Sequence, residues 1–119
     1  MIGGTIFDQK NRHIEPTVVL NPDMNSEMMQ EEIFGPILPI IVYKDFSFVL
    51  QTIKSLGKPL AIYYMGNPSD NNFSTLISCT SSGSVSCNEI LLQVSISEMS
   101  FGGVGDSGYG RYMGLEGFK

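Results

Sequence analysis

The densest potential chemistry in the chain lies in Gln30-Glu31-Glu32-Ile33-Phe34-Gly35-Pro36, where two adjacent carboxylates and an aromatic ring stand directly before an apolar run. In an extended segment alternate side chains share a face, so Glu32 and Phe34 are expected to project together and to hold one flat, hydroxylated ligand. Gly35 is read as taking backbone angles closed to other residues, and Pro36 fixes its own φ while biasing Gly35 away from helix, so a rigid turn should follow Phe34. The same residue types also fit a solvated acidic turn with Phe34 anchored in a core.

Cys87 is a tempting nucleophile, but a reactive thiol needs a base, a cation or a helix N-terminus beside it, and its sequence neighbours Ser86 and Asn88 carry no charge. His13 sits in a polar patch with no second His, Cys or paired acid at ligand spacing, which reads as a surface histidine rather than a metal ligand. Gly103-Val104-Gly105-Asp106-Ser107-Gly108 spells the dinucleotide fingerprint G-x-G-x-x-G. That pattern works only between a buried strand and a helix, with an acid about 20 residues later on the ribose, and Ser97-Glu98-Met99-Ser100 is no buried strand. These glycines fit better as a loop passing close to other backbone or to a bound molecule.

The elements that must position these residues read as an α/β fold. Residues 17–20 form one β-rich strand in the N-terminal stretch, residues 26–31 a short helix-friendly polar turn, and residues 37–43 a continuous apolar strand of the kind buried on both faces. Pro39 interrupts that strand and should face an edge or the start of pairing, because proline cannot donate to a ladder. Asp45 caps a helix whose Phe46, Val49, Leu50, Ile53 and Leu56 make one apolar stripe, and Gly57 with Pro59 ends it. Residues 60–65 read as a second strand, Ser69 or Asp70 caps a helix with Phe73, Leu76 and Ile77, and residues 83–88 form a third strand. The order implies a parallel βαβαβ unit with covering helices, followed by an irregular stretch from residue 91 to residue 99.

Composition narrows the partners. At 119 residues with 42% hydrophobic content, the chain is at most one small globular domain. A net charge of -5 and a pI of about 4.6 give no basic footprint for nucleic acid or anionic lipid. Two cysteines make no disulfide framework, nothing at the start is ordered like a signal peptide, and a reducing, cytoplasmic compartment is expected. The longest apolar stretch falls well short of the roughly 20 residues of a membrane span.

Residues 30–36 closely resemble the Glu-Glu-Ile-Phe-Gly-Pro signature of the aldehyde dehydrogenase superfamily. Further matches follow in the expected order: Ile14-Glu15-Pro16-Thr17-Val18, Lys58-Pro59-Leu60-Ala61-Ile62-Tyr63, Thr80-Ser81-Ser82-Gly83-Ser84-Val85, Cys87-Asn88, and Phe101-Gly102-Gly103-Val104 through Gly110-Arg111-Tyr112. The Lys-Pro-Leu-Ala and Gly-Gly-Val-Gly forms are most similar to the class 3 branch, whose members oxidise medium and long aliphatic or aromatic aldehydes. The resemblance implies that residues 1–119 are the C-terminal portion of a catalytic domain that converts aldehydes to carboxylic acids with NAD or NADP. It implies that Glu32 accepts hydrogen bonds from the nicotinamide ribose hydroxyls and that Phe34 packs against the nicotinamide end. Phe101 would line the aldehyde pocket, Asn88 would orient neighbouring loops by its amide, and Gly35, Pro36, Gly102 and Gly103 would support the site. By residue type alone, Phe101 equally fits a core position and Asn88 a strand-end turn.

The resemblance also implies what this stretch lacks. Neither the Gly-Gln-x-Cys nucleophile motif nor the general-base glutamate motif is present, so no catalytic residue is assigned, and the Rossmann domain for the adenosine half is absent. Two positions depart from the pattern: Ser100 stands where proline usually precedes Phe-Gly-Gly, and Gln93 stands where class 3 relatives carry histidine. Expected partners are an aldehyde, the remainder of the same subunit or a full-length paralogue, and a second subunit in a homodimer of the complete protein. A truncated non-catalytic paralogue and a small ligand-binding module are the alternative readings.

Overall fold

In the computed structural model, which describes residues 1–5 and 7–118, the chain divides into two units, Met1–Lys44 and Asp45–Lys119. The first begins with an antiparallel hairpin, β1 (Phe7–Asp8) and β2 (His13–Ile14), in a region read from sequence as a polar patch. Its turn is closed by Asp8, whose carboxylate accepts from the Asn11 N–H at 3.1 Å and from Asn11 Nδ2 at 2.7 Å. Side chains of this kind bond their own local backbone and make turns, which is why a polar run became a hairpin. His13 lies exposed on β2.

β3 (Thr17–Leu20) pairs in parallel with β4 (Ile37–Ile40), with Val19 opposite Pro39, and α1 (Glu27–Gln30) lies between them in sequence. The Thr17 N–H donates to Pro36 O at 2.8 Å and the Asn21 N–H to Ile40 O at 2.7 Å. Alternation along β4 therefore turns the nitrogen of Pro39 away from β3, and the missing donor falls on the side that carries no ladder among the described residues. The other edge of β3 is taken by Ile2, which exchanges two backbone hydrogen bonds with Val18.

In the second unit, Asp45 caps α2 (Phe46–Ser55) by accepting from the Ser47 N–H at 3.0 Å, and Gly57 follows the helix end at φ 89°. Phe46, Val49, Leu50 and Ile53 are half-buried, as the apolar stripe requires, whereas Leu56 lies at the cap and is exposed. β5 (Ala61–Tyr64) and β6 (Ser84–Cys87) pair in parallel across α3 (Asn71–Cys79), whose cap is Asp70. Leu76 on α3, 2% exposed, is the buried apolar side chain of this unit among the described residues. Tyr64 turns toward α3 and packs on Phe73 at 5.0 Å between ring centroids.

The α/β class with parallel strands stands, with one correction to connectivity. β4 ladders with β3 rather than continuing a run into β5, so the expected three-strand series is resolved as two parallel pairs. The stretch read as irregular contains a short helix, α4 (Leu92–Ser95), and the chain closes with a 3₁₀ turn (Gly105–Ser107) and α5 (Gly114–Phe118). No helix among the described residues is long and apolar enough to cross a membrane.

Candidate functional site

In the first unit the acidic and aromatic segment is a short link held at both ends. The Glu31 N–H closes α1 on Glu27 O at 3.0 Å, and Glu31 itself is extended, with φ −118° and ψ 155°. After Phe34 the chain turns around Pro36, where the Ile37 N–H donates to Gly35 O at 2.9 Å, and it enters β4 at once. The turn is present, but not for the expected reason at Gly35. Gly35 does not adopt a positive φ and a Cβ there would meet nothing within 4 Å, so the turn is set by Pro36 and its bond to β3. Phe34 is 92% exposed, which overturns its reading as a core anchor. Glu32 is exposed too, and no side-chain hydrogen bond engages its carboxylate among the described residues.

In the second unit the chemistry gathers at the carboxyl ends of β5 and β6. Asn88 leaves β6 in the left-handed region at φ 57°, and its N–H donates to Tyr64 O at 2.8 Å. Its side chain then pairs with one backbone residue: Oδ1 accepts from the Gly66 N–H and Nδ2 donates to Gly66 O, both at 2.9 Å. Asn88 thus lashes the loop after β5 to the loop after β6. Cys87 is half-buried, with Sγ 3.9 Å from Gly66 O. It lines a cleft of about 200 Å³ with Ser86, Glu89, Leu92, Gln93, Ile96 and Met99, which offers a carboxylate and no cation to activate a thiol.

Adjacent tyrosines on β5 tie this sheet to what packs on each face. The Tyr64 hydroxyl donates to Asp70, and together with the Phe73 N–H it holds the Asp70 carboxyl below its ordinary value. Tyr63, on the opposite face, accepts from Gln93 Nε2 at 2.6 Å. Gln93 is 5% exposed. Sequence reasoning noted Gln93 only as a departure from a pattern. The available signal was a long polar side chain inside the apolar run Ile90-Leu91-Leu92 and Val94.

The glycine-rich tail folds back on itself, in agreement with the rejection of a dinucleotide loop. Phe101 exchanges backbone hydrogen bonds with Tyr112 at 2.8 and 2.9 Å, and their rings meet edge to face at 5.7 Å. Added Cβ atoms would sit 2.2 Å from Gly110 O at Gly102 and 2.3 Å from Ser107 O at Gly103, so backbone passes where side chains cannot fit. Arg111, another residue not singled out from sequence, donates from Nη2 to Gly83 O at 2.9 Å and docks the tail at the start of β6. A larger cleft of about 600 Å³ lies by the carboxyl ends of α2 and α3, and Asn88, Gln93 and Phe101 have no part in it. Among the described residues, no three His, Cys, Asp or Glu side chains come together to hold a metal ion.

Comparison with known proteins adds an independent line. Residues 1–119 match the family model described as the aldehyde dehydrogenase family. Over 117 residues, 98% of its length, the chain is 48% identical to aldehyde dehydrogenase family 3 member F1 of Arabidopsis thaliana and 40% identical to the dimeric NADP-preferring aldehyde dehydrogenase of Rattus norvegicus. It covers 24% and 25% of those two proteins, so it spans about a quarter of the length of the curated relatives it matches. Among solved structures, it resembles the substrate-bound state of Staphylococcus aureus AldH with a TM-score of 0.85 and 37% identity, over 98% of this chain and 25% of that one. A mutant of the P. syringae indole-3-acetaldehyde dehydrogenase AldA in complex with NAD+ and IAA is similar at a TM-score of 0.81 and 25% identity, over 99% of this chain and 24% of the other.

Proposed function

The chain belongs to the aldehyde dehydrogenase family, and from that premise we propose that it forms the C-terminal portion of a catalytic domain that oxidises aldehydes to carboxylic acids with NAD or NADP. The observation that carries this reading is the match along all of residues 1–119, together with high identity to family 3 members. The cofactor side is Glu32 and Phe34. An exposed carboxylate with no side-chain hydrogen bond among the described residues, beside an exposed ring on a link fixed at both ends, fits a ribose diol and a flat heterocycle. Hydrogen bonds from such hydroxyls to a carboxylate contribute about 1.5–3 kcal/mol each. The nicotinamide, when bound, would supply the hydride acceptor; Glu32 would hold the ribose hydroxyls and Phe34 would pack against the nicotinamide end. Gly35 and Pro36 set where that link turns.

The aldehyde side is Asn88, Phe101, Gly102 and Gly103. Asn88 organises loops at the strand ends, and the two glycines let the tail approach closely enough to present Phe101 to a substrate. The motifs for the nucleophile and base are not in these residues, so activity requires the remainder of the same subunit or a full-length paralogue. The exposed apolar side chains of each unit, Leu38 and Val42 in one and Leu91 and Met65 in the other, support such a covering partner. A cytoplasmic homodimer of the complete protein is the accompanying expectation.

The test is an assay of the complete polypeptide carrying residues 1–119 with a medium-chain aliphatic aldehyde and either NAD+ or NADP+. Aldehyde-dependent formation of the reduced cofactor is expected. If the complete polypeptide shows none with any aliphatic or aromatic aldehyde, the enzyme reading fails.

A further inference from the structure

Buried Gln93 and half-buried Tyr63 form a polar pair that the proposed site does not use. Gln93 Nε2 donates to the Tyr63 hydroxyl, while Gln93 Oε1 is buried without a partner among the described residues. A half-satisfied buried amide is unfavourable compared with an apolar side chain of similar size, so its position calls for a compensating role. The surroundings indicate one. α4 is four residues long, lacks a side-chain cap, and follows Leu91 in the left-handed region at φ 59°, a conformation uncommon for a residue with a bulky side chain. A single helical turn of this kind does not hold itself and depends on tertiary ties. Among the described residues, the Gln93–Tyr63 bond is the side-chain hydrogen bond that joins α4 to the sheet.

α4 also occupies the path between Asn88 and Phe101. We infer that Gln93 is a positioning residue: through Tyr63 it clasps α4 to the β5–β6 sheet and so holds the Asn88-to-Phe101 segment on the aldehyde side. The same clasp walls the cleft around Cys87, since Gln93 and Leu92 of α4 line it. The kinetic consequence rests on the proposed enzyme reading, whereas the clasp itself does not.

The test compares Gln93→Leu, Tyr63→Phe, the double variant and Gln93→His in the complete polypeptide. Leucine keeps bulk and loses the donor, phenylalanine keeps the ring and loses the hydroxyl, and histidine retains a ring N–H that can reach Tyr63. Site-resolved alkylation by peptide mapping reads Cys87, with the exposed Cys79 as internal control. Cys87 should label about tenfold faster in either single variant, the scale of one side-chain hydrogen bond, with the double variant no faster than the singles. Cys79 should be unchanged, and Gln93→His should return Cys87 toward the parent rate. In steady state, the aldehyde KM should rise by about the same factor while the cofactor KM stays put.

Unaltered Cys87 labelling, equal acceleration at Cys79 and Cys87, or a parallel rise in cofactor KM would overturn the clasp as a positioning device. If the complete polypeptide oxidises no aldehyde, the enzyme reading has failed, and the Cys87 to Cys79 ratio alone decides whether the clasp exists.

Discussion

Glu32 and Phe34 project from a link outside helix and strand, whereas Asn88 has its N–H and both ends of its amide bonded to Tyr64 and Gly66. The first arrangement leaves hydrogen-bonding capacity open to a ligand. The second spends one amide donor and one acceptor on the protein, which fits the proposed role of Asn88 in ordering loops. A residue that must hold a ligand needs unsatisfied groups on a fixed support, and Pro36 with β4 provides the support in the first case. A residue that must hold the support needs bonds to the chain on both sides of it.

The comparison can be broken first at the level of activity, where the largest effect is expected. The proposed reading places the nucleophile and base outside residues 1–119, so this stretch, purified alone, should lack aldehyde oxidation altogether, forfeiting an acceleration of at least about a millionfold. An aldehyde-dependent rise in NADH absorbance from this chain, abolished by Cys87→Ala, would contradict the assignment.

Stability sharpens the contrast next. Leu76→Ala empties the buried position of the second unit and should cost about 2–5 kcal/mol, while Leu38→Ala, on an exposed strand position of the first, should cost under about 1 kcal/mol in the same chain. Urea unfolding followed by circular dichroism measures both, and equal costs would remove the distinction.

The smallest effect is a pH dependence at Asp70. Its carboxyl is depressed from the ordinary value of 3.8, first by the Tyr64 hydroxyl and then by the Phe73 N–H. A depressed folded-state pKa means that the unfolded chain binds the proton more readily. The associated stability is therefore complete above the ordinary value and is lost as pH falls through the lower folded value. Asp70→Asn should flatten part of the acid limb in denaturant midpoints taken between about pH 5 and about pH 2. Asp8 and Asp45, also depressed, should keep the remainder.

What was legible in the sequence follows the range of the interactions involved. α2 could be read from Asp45 to Gly57 because its cap, its apolar stripe and its terminating glycine act over a few residues, and α3 with its Asp70 cap is the same case. Strand partners were not legible. β3 and β4 are joined across residues 21–36, and only the placement of Pro39 hinted at which side of β4 would carry the ladder. α4 had neither a period nor a capping side chain to announce it. The Gln93–Tyr63 bond spans 30 residues, and a residue type says nothing about a partner that distant. Glycine was readable where backbone crowds backbone, at Gly103, and misread at Gly35, where Pro36 carries the turn. Phe34 allowed a buried and an exposed reading, and the fold of these residues leaves it exposed.

The central claim is that Glu32, and not its neighbour, holds the nicotinamide ribose in the complete enzyme. Glu32→Gln keeps the shape of the side chain and removes its charge, which weakens two charge-assisted hydrogen bonds and loosens the placement of the hydride acceptor. Single-turnover measurements on the complete polypeptide at saturating aldehyde should show hydride transfer slowed roughly ten- to hundredfold, since about 1.4 kcal/mol is one decade in rate. Glu31→Gln is the paired control, because Glu31 closes α1 through its backbone and its side chain should point the other way along the extended link. It should change hydride transfer by less than about twofold. If Glu31→Gln is the more damaging substitution, or if neither slows the transfer, the ribose contact does not belong to Glu32 and the acidic pair is a solvated turn.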